Sequence, residues 1–257
     1  MTVNYGPNRY DVVGSFLRPA KLKQAREDFT AGTIDAAALK AIEDECITDL
    51  IAKEKKAGLR FITDGEFRRA TWHLDFMWAF EGIGHSATED GLPFHGEAAK
   101  IDDTYLTGKV SLAGEHPFVE HFRFVQSFED ENTTAKLTIP APAQFIEQFI
   151  MPMNRKATDA AYESDALLED DIVAAYLAFI EQVYAAGCRN LQFDDCSWGC
   201  LVDPKAELFF GTDQTGLARI KETLLRVNNR VLDAAPADLC INTHVCRGNF
   251  HSTWACE

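Results

Sequence analysis

Late in the sequence stands "INTHVCRGNF", in which His244 and Cys246 are separated by one residue. Along an extended segment, residues i and i+2 point to the same side, so an imidazole and a thiol at this spacing can meet one ion. Imidazole nitrogen with thiolate sulfur is a donor set that zinc prefers. A core histidine beside a core cysteine would give the same spacing, because free cysteine is often buried filler.

A second group is acidic. Asp64 and Glu66 follow "RFIT", and Asp194 with Asp195 closes "NLQFDD". Carboxylates gathered at the mouth of a fold can bind an ammonium group, act as acid or base, or ligate a metal. Each could instead cap a following helix. Cys196 and Cys200 come next in "DDCSWGC", at a spacing longer than the C-x-x-C of a zinc ribbon, so a metal role is not assigned to them. Ser15, at the end of "DVVGS", offers a hydroxyl and a backbone to a substrate carboxylate, or is simply part of a turn.

The elements that must carry these residues follow one pattern. Leu39, Ile42, Cys46 and Leu50 recur at helical spacing within 35–56, and Gly58 is placed to end that helix. A short apolar strand at 60–64 follows. The same order returns with a helix through Ile172, Tyr176, Phe179 and Val183, ended by Gly187, and a strand at 189–194. A third helix in "LARIKETLLRVNNRVLDAAP" leads to a strand at 239–244. With strands also read at 11–15 and 135–140, the chain consists of βα units with its polar chemistry at strand ends. That arrangement belongs to a (β/α)8 TIM barrel, and doubly wound α/β sheets share it. No G-x-G-x-x-G or P-loop is present, which favours the barrel. Residues 68–134 break the alternation with "WHLDFMWAFEGIG", a hairpin around "TYLTGKVSL" and an aromatic helix in "HPFVEHFRFVQSF". They are read as an insertion in a single domain spanning 1–257. Its aromatics are expected in the core, some of them roofing a pocket.

The net charge of −15 excludes nucleic acid as an expected partner, since phosphate contacts need clustered Lys and Arg. No apolar run approaches the roughly 18 residues of a membrane span, and the N-terminus lacks a secretory segment. A cytoplasmic protein with its seven cysteines reduced is expected.

Taken together, "VGSFLRP", "ITDGEFRR", "LQFDD" and "THVCRGN" resemble, in order and spacing, the catalytic barrel of cobalamin-independent methionine synthase. The closest likeness is to its shorter single-barrel relatives, and it covers nearly the whole chain. The resemblance implies a zinc-dependent 5-methyltetrahydropteroyltriglutamate–homocysteine S-methyltransferase-like enzyme. It would pass a methyl group from a methyltetrahydrofolate-type donor to the homocysteine thiol, in methionine biosynthesis. By the same resemblance His244 and Cys246 would ligate zinc, Ser15 would face the amino-acid carboxylate, and Glu66 and Asp194 would face the ammonium group. Zinc lowers the pKa of a bound thiol, so a nucleophile exists at neutral pH. Two departures stand out. Asp195 and "CSWGC" occupy the place of the synthases' "DEP", and only about five of eight strands are found. The family's remaining zinc ligands, a Glu and a Cys, and its histidine acid lie on later strands.

The expectation from this count is a barrel truncated after about five strands, from a parent of roughly 350 residues, given three missing βα units of ~30 residues each. An open sheet would leave a raw edge that invites association, homo-oligomers included. Three other readings stay open: a thiol alkyltransferase acting on coenzyme M or a similar thiol, a decarboxylase or lyase on a related barrel, and a catalytically incomplete remnant.

Overall fold

The computed structural model describes residues 11–88, 92–94, 97–99, 102–249 and 253–256. Residues 1–10, where the absence of a secretory segment was read, lie outside them.

In chain order, the first elements are α1 (Ala20–Thr30), α2 (Ala36–Lys56) and β1 (Phe61–Ile62). The region from 68 to 134 holds α3 (Leu74–Met77), β2 (Glu81–Ser86), β3 (Leu92–Phe94), β4 (Glu97–Ala99), β5 (Asp103–Ser111) and α4 (Pro117–Gln126). Then come β6 (Thr134–Ala135), β7 (Leu137–Pro140), α5 (Pro142–Ile150), α6 (Arg155–Ala161), α7 (Asp165–Ala185) and β8 (Asn190–Asp195). The last are α8 (Ser197–Val202), α9 (Ala206–Phe210), α10 (Gln214–Ala234) and β9 (Cys240–Val245).

The long helices start and stop where their local chemistry directs. The Asp35 carboxylate accepts from the Ala38 amide at 2.8 Å to cap α2, and Asp213 accepts from Gly216 at 2.8 Å to cap α10. Gly58, with φ 81°, follows the end of α2, and Gly187, with φ 105°, follows α7. The left-handed turn lets the chain reverse into the next strand without a Cβ penalty.

β1 pairs in parallel with β6, β7 with β8, and β8 with β9. Only Lys136 separates β6 from β7, and its amide donates to Ile62 O at 2.9 Å, so pairing with β1 runs on through the break. Four parallel positions therefore stand side by side in sequence order. A barrel uses that order, whereas a doubly wound sheet reverses it. The region from 68 to 134 differs from expectation in one respect: "TYLTGKVSL" is not a hairpin but the single strand β5, which pairs antiparallel with β2. β3 and β4 form another antiparallel pair, and α4 carries the aromatic run.

The strand count predicts a barrel left open after about five strands, and among the described residues no closed barrel is formed. One further expectation needs correction. Residues 11–15 do not form a strand: the chain bends at Gly14, whose φ is 123°, and side chains take the segment's carbonyls. Lys136 Nζ donates to Val12 O, Gln192 Nε2 to Val13 O at 2.6 Å and Thr63 Oγ1 to Gly14 O at 3.2 Å. A periodicity reading sees the apolar run but not that its donors come from side chains.

Period-two alternation sorts the sheet's two faces. Leu137, Ile139, Leu191 and Phe193 are buried in the core shared with α5 and α7. There Phe76 of α3 lies within 5.0–5.5 Å, ring centre to ring centre, of Phe80, Phe118, Tyr176 and Phe179. The insertion is thus fastened to the sheet's helices by an aromatic cluster, in the geometry such rings favour. On the opposite face Thr138, Gln192 and Asn242 are in register, and one step further along Pro140, Asp194 and His244 are in register. No helix among the described residues is long and apolar enough to cross a membrane.

Candidate functional site

The polar residues collect at the C-terminal ends of the parallel strands. After β1 the chain turns through Thr63–Asp64–Gly65–Glu66, and Asp64 Oδ1 accepts from the Glu66 amide at 2.8 Å. Gly65 has φ 66°, and a Cβ there would meet Leu50 Cδ2 at 2.4 Å. Glu66 itself has φ 58°, the one positive φ among the described non-glycine residues. A side-chain-bearing residue in this region stores roughly 1–2 kcal/mol of strain, and such residues gather at functional sites.

That backbone buries the Glu66 carboxylate. Oε1 lies 3.4 Å from Arg69 Nη1 and accepts from Thr138 Oγ1 at 3.3 Å, while Oε2 is buried with no hydrogen-bond partner. Asp64 Oδ2 is likewise buried and unpartnered. Buried carboxylate oxygens are costly to leave unmade, so these point to a ligand donor.

Asp194 projects into the same space. Burial, reinforced by the nearby Glu66 charge, pushes its carboxyl up to about 7, although Gln192 donates to its Oδ1 at 2.7 Å. Asp195, next along β8, faces the other way. It receives Trp198 Nε1 at 2.8 Å, Asn228 Nδ2 at 3.0 Å and the Ser197 amide at 3.3 Å. It therefore anchors α8 and takes no part in the pocket.

His244 neighbours Asp194 across the β8–β9 register. Its hydrogen bond to Cys246, together with the charges of Cys246 and Asp194, raises the imidazole above its ordinary value against the pull of burial. Cys246 is drawn down, first by its hydrogen bond with the Cys196 thiol, and then by His244 and the Gly248 amide at 3.4 Å. Cys196 is pushed up correspondingly. The two sulfurs stand 2.9 Å apart.

Ser15 sits exposed at the rim, where its Oγ accepts from Arg18 Nη1 at 3.2 Å. Arg18 also donates to Phe16 O at 3.1 Å and Glu66 O at 2.8 Å, joining the first segment to the Glu66 turn. Below the mouth, Asp11, Val12, Val13, Phe61, Gln192, Asn242, Thr243 and His244 line a cavity of about 260 Å³.

The structure brings Glu66, Asp194, His244 and Cys246 to one end of the sheet, with Ser15 at its edge. The sequence did not reveal Cys196 beside Cys246, because fifty positions separate them. Nor did it reveal Arg69, fully buried, holding Thr138 O at 2.6 Å with its guanidinium over the Phe118 ring. The imidazole and thiol fit zinc in donor chemistry. Among the described residues, however, no group of three or more His, Cys, Asp or Glu is arranged to hold a metal ion. Cys196 Sγ lies beside Cys246 Sγ, closer than the roughly 3.8 Å that separates two thiolates on one tetrahedral zinc at ~2.3 Å each.

No family model matches the chain. Two Bacillus subtilis proteins are similar along almost all of it. Uncharacterized protein YxjH is 37% identical over 253 residues, 97% of this chain and 64% of the relative. Uncharacterized protein YxjG is 34% identical over 252 residues, 98% and 65%. The chain thus spans just under two thirds of the length of these relatives. Among solved structures, it is similar to a candidate vitamin-B12-independent methionine synthase from Listeria monocytogenes. The TM-score is 0.74 at 33% identity, covering 94% of this chain and 66% of that one. A B12-independent methionine synthase from Shewanella sp. W3-18-1, in complex with selenomethionine, shares the fold with a TM-score of 0.58 at 17% identity, covering 84% and 54%.

Proposed function

We propose that this chain carries the amino-acid-binding half of a zinc-dependent methyltransferase of the methionine-synthase type, with a homocysteine-like thiol as methyl acceptor. The observation that carries the reading is the buried, unpartnered Oε2 of Glu66, held on a strained backbone beside buried Asp194. Two carboxyls facing one space suit an ammonium group, which has three donors to offer. The ammonium would draw the Asp194 proton off, so binding should strengthen as pH rises through about 7.

Ser15 and the Arg18 guanidinium at the rim are placed to meet the acceptor's carboxylate. His244 and Cys246 would hold zinc, which when bound keeps a substrate thiol as thiolate at neutral pH. Likeness to the Listeria monocytogenes structure supports the methyltransferase class, and the selenomethionine held by the Shewanella protein agrees with an amino-acid pocket carrying sulfur or selenium. The methyl donor is proposed as methyltetrahydrofolate by the resemblance of "THVCRGN" and its companions.

A sulfonate-bearing thiol such as coenzyme M is the weaker reading. Arg18 at the rim could meet a sulfonate as well as a carboxylate. A sulfonate-bearing thiol without an ammonium group, however, would leave the buried Glu66 and Asp194 carboxyls unanswered, and no second cation offers itself among the described residues. Arg68 is paired with Glu43 and Asp44, and Arg69 with Glu66 and Thr138.

Calorimetric titration with L-methionine and with homocysteine, beside a zinc assay on the purified chain, tests the proposal. Wild-type protein is expected to bind the amino acid, Glu66→Gln to lose most of that binding, and His244→Ala to lose zinc. Equal affinity in wild type and Glu66→Gln would overturn the amino-acid site. Absence of zinc from both wild type and His244→Ala would overturn the metal role in this chain.

A further inference from the structure

Helix α8 and the segment after β9 meet through sulfur twice. Cys196, the residue before α8, has its Sγ 2.9 Å from Cys246 Sγ, and Cys200, one turn on, has its Sγ 3.0 Å from Cys256 Sγ. All four are free thiols. Between the two helix cysteines lies Gly199, where a Cβ would stand 2.6 Å from Cys246 O and 3.3 Å from Arg247 Cα. Only a glycine lets the helix approach the strand end this closely. The helix is fastened from beneath as well: Ser197 Oγ donates to the buried Glu147 carboxyl, and Asp195 receives Trp198 and the Ser197 amide.

We propose that these four cysteines form a reversible two-bond clasp, oxidised by hydrogen peroxide to Cys196–Cys246 and Cys200–Cys256. In each pair one sulfur, as thiolate, attacks a peroxide oxygen, breaking the O–O bond and releasing hydroxide, so that this sulfur becomes a sulfenic acid. The partner sulfur then attacks it, forming the S–S bond and expelling the hydroxyl. The two thiol protons combine with the two oxygens, giving two waters. Each pair loses two electrons and the peroxide gains them. Small thiols return both pairs to the dithiol by exchange.

Geometry favours these partners over others. Cys196 and Cys200 stand one helical turn apart and each already touches a sulfur across the gap. Cys46 and Cys188 are buried in the core, where Cys188 Sγ donates to Asn190 O at 3.4 Å. The clasp has a consequence that rests on the zinc reading above: a Cys246 sulfur bonded to Cys196 is no longer a thiolate ligand, so the oxidised chain could not hold zinc there. The bonds themselves do not depend on that reading.

The test is peptide mapping of the full chain after brief peroxide treatment and blocking of the remaining thiols. Cross-linked peptides joining Cys196 to Cys246 and Cys200 to Cys256 are expected, with titratable thiols falling from seven to three and returning to seven on reduction. Cys256→Ser should still form the Cys196–Cys246 link, and Cys196→Ser the Cys200–Cys256 link. In Gly199→Ala both should form about tenfold more slowly, because exchange needs close sulfur access. A Cys196–Cys200 link, oxidation stopping at single-cysteine acids, or no loss of thiols would overturn the clasp. Mapping reads the bonds directly, so the clasp can stand where zinc binding fails, or fail where zinc binding stands.

Discussion

Glu147 gives the sharpest quantitative expectation. Its carboxyl lies wholly buried on α5, hydrogen-bonded to Ser197 and near the Asp195 charge, and burial pushes it from an ordinary 4.5 up to about 7. A carboxyl raised in the folded state keeps a proton that the unfolded chain has released. Its contribution is therefore fully present below about 4.5 and is lost as pH rises through about 7. The rise corresponds to about 3 kcal/mol, most of which falls between pH 5 and pH 8. Glu147→Gln preserves the shape and an acceptor for Ser197 but has no proton to lose. Urea unfolding of both proteins at pH 5 and pH 8 isolates the residue, since Glu54 and Asp194, also raised to about 7, slope equally in both. The wild type should lose about 2–3 kcal/mol more than the variant over that interval. Parallel pH profiles would refute the reasoning and mean that the Glu147 site is wet or its charge compensated.

Glu66 allows a test of backbone strain apart from binding. Because its φ is 58°, Glu66→Gly should be more stable than Glu66→Ala by about 1 kcal/mol in urea unfolding, both having lost the carboxylate. Equal stabilities would remove the strain. Phe76→Ala opens the aromatic cluster linking α3 to α4 and α7, and should cost about 3–5 kcal/mol with no change in the sheet's own helices. A loss below about 1 kcal/mol would mean that the insertion is not packed on the sheet as described.

What the sequence disclosed follows from the range of its forces. Helical spacing and Gly58 and Gly187 as stops are local, and α2, α7, α10, β8 and β9 fall within a few residues of their expected limits. The strand-end positions of Glu66, Asp194, His244 and Cys246 were legible for the same reason. Side-chain hydrogen bonds across the chain were not. Asp195 reads like Asp194, but the pleat turns one inward and the other toward Trp198 and Asn228. The segment 11–15 reads like a strand, but its carbonyls await Lys136, Gln192 and Thr63. Cys196 acquires a partner only when β8 and β9 lie side by side.

The unusual anchoring of residues 11–14 also orders events in time. Val13 is held by Gln192 from 179 residues away, and Asp11 by Lys136 at 2.7 Å from 125 away. Such long closures come late, because the chain entropy they cost is repaid only once both partners are fixed. β7 and β8 must therefore assemble before the first segment has anything to dock on. This stretch is made before β7 and β8 yet settles after them, and the rim bearing Ser15 waits on strands that lie far along the chain.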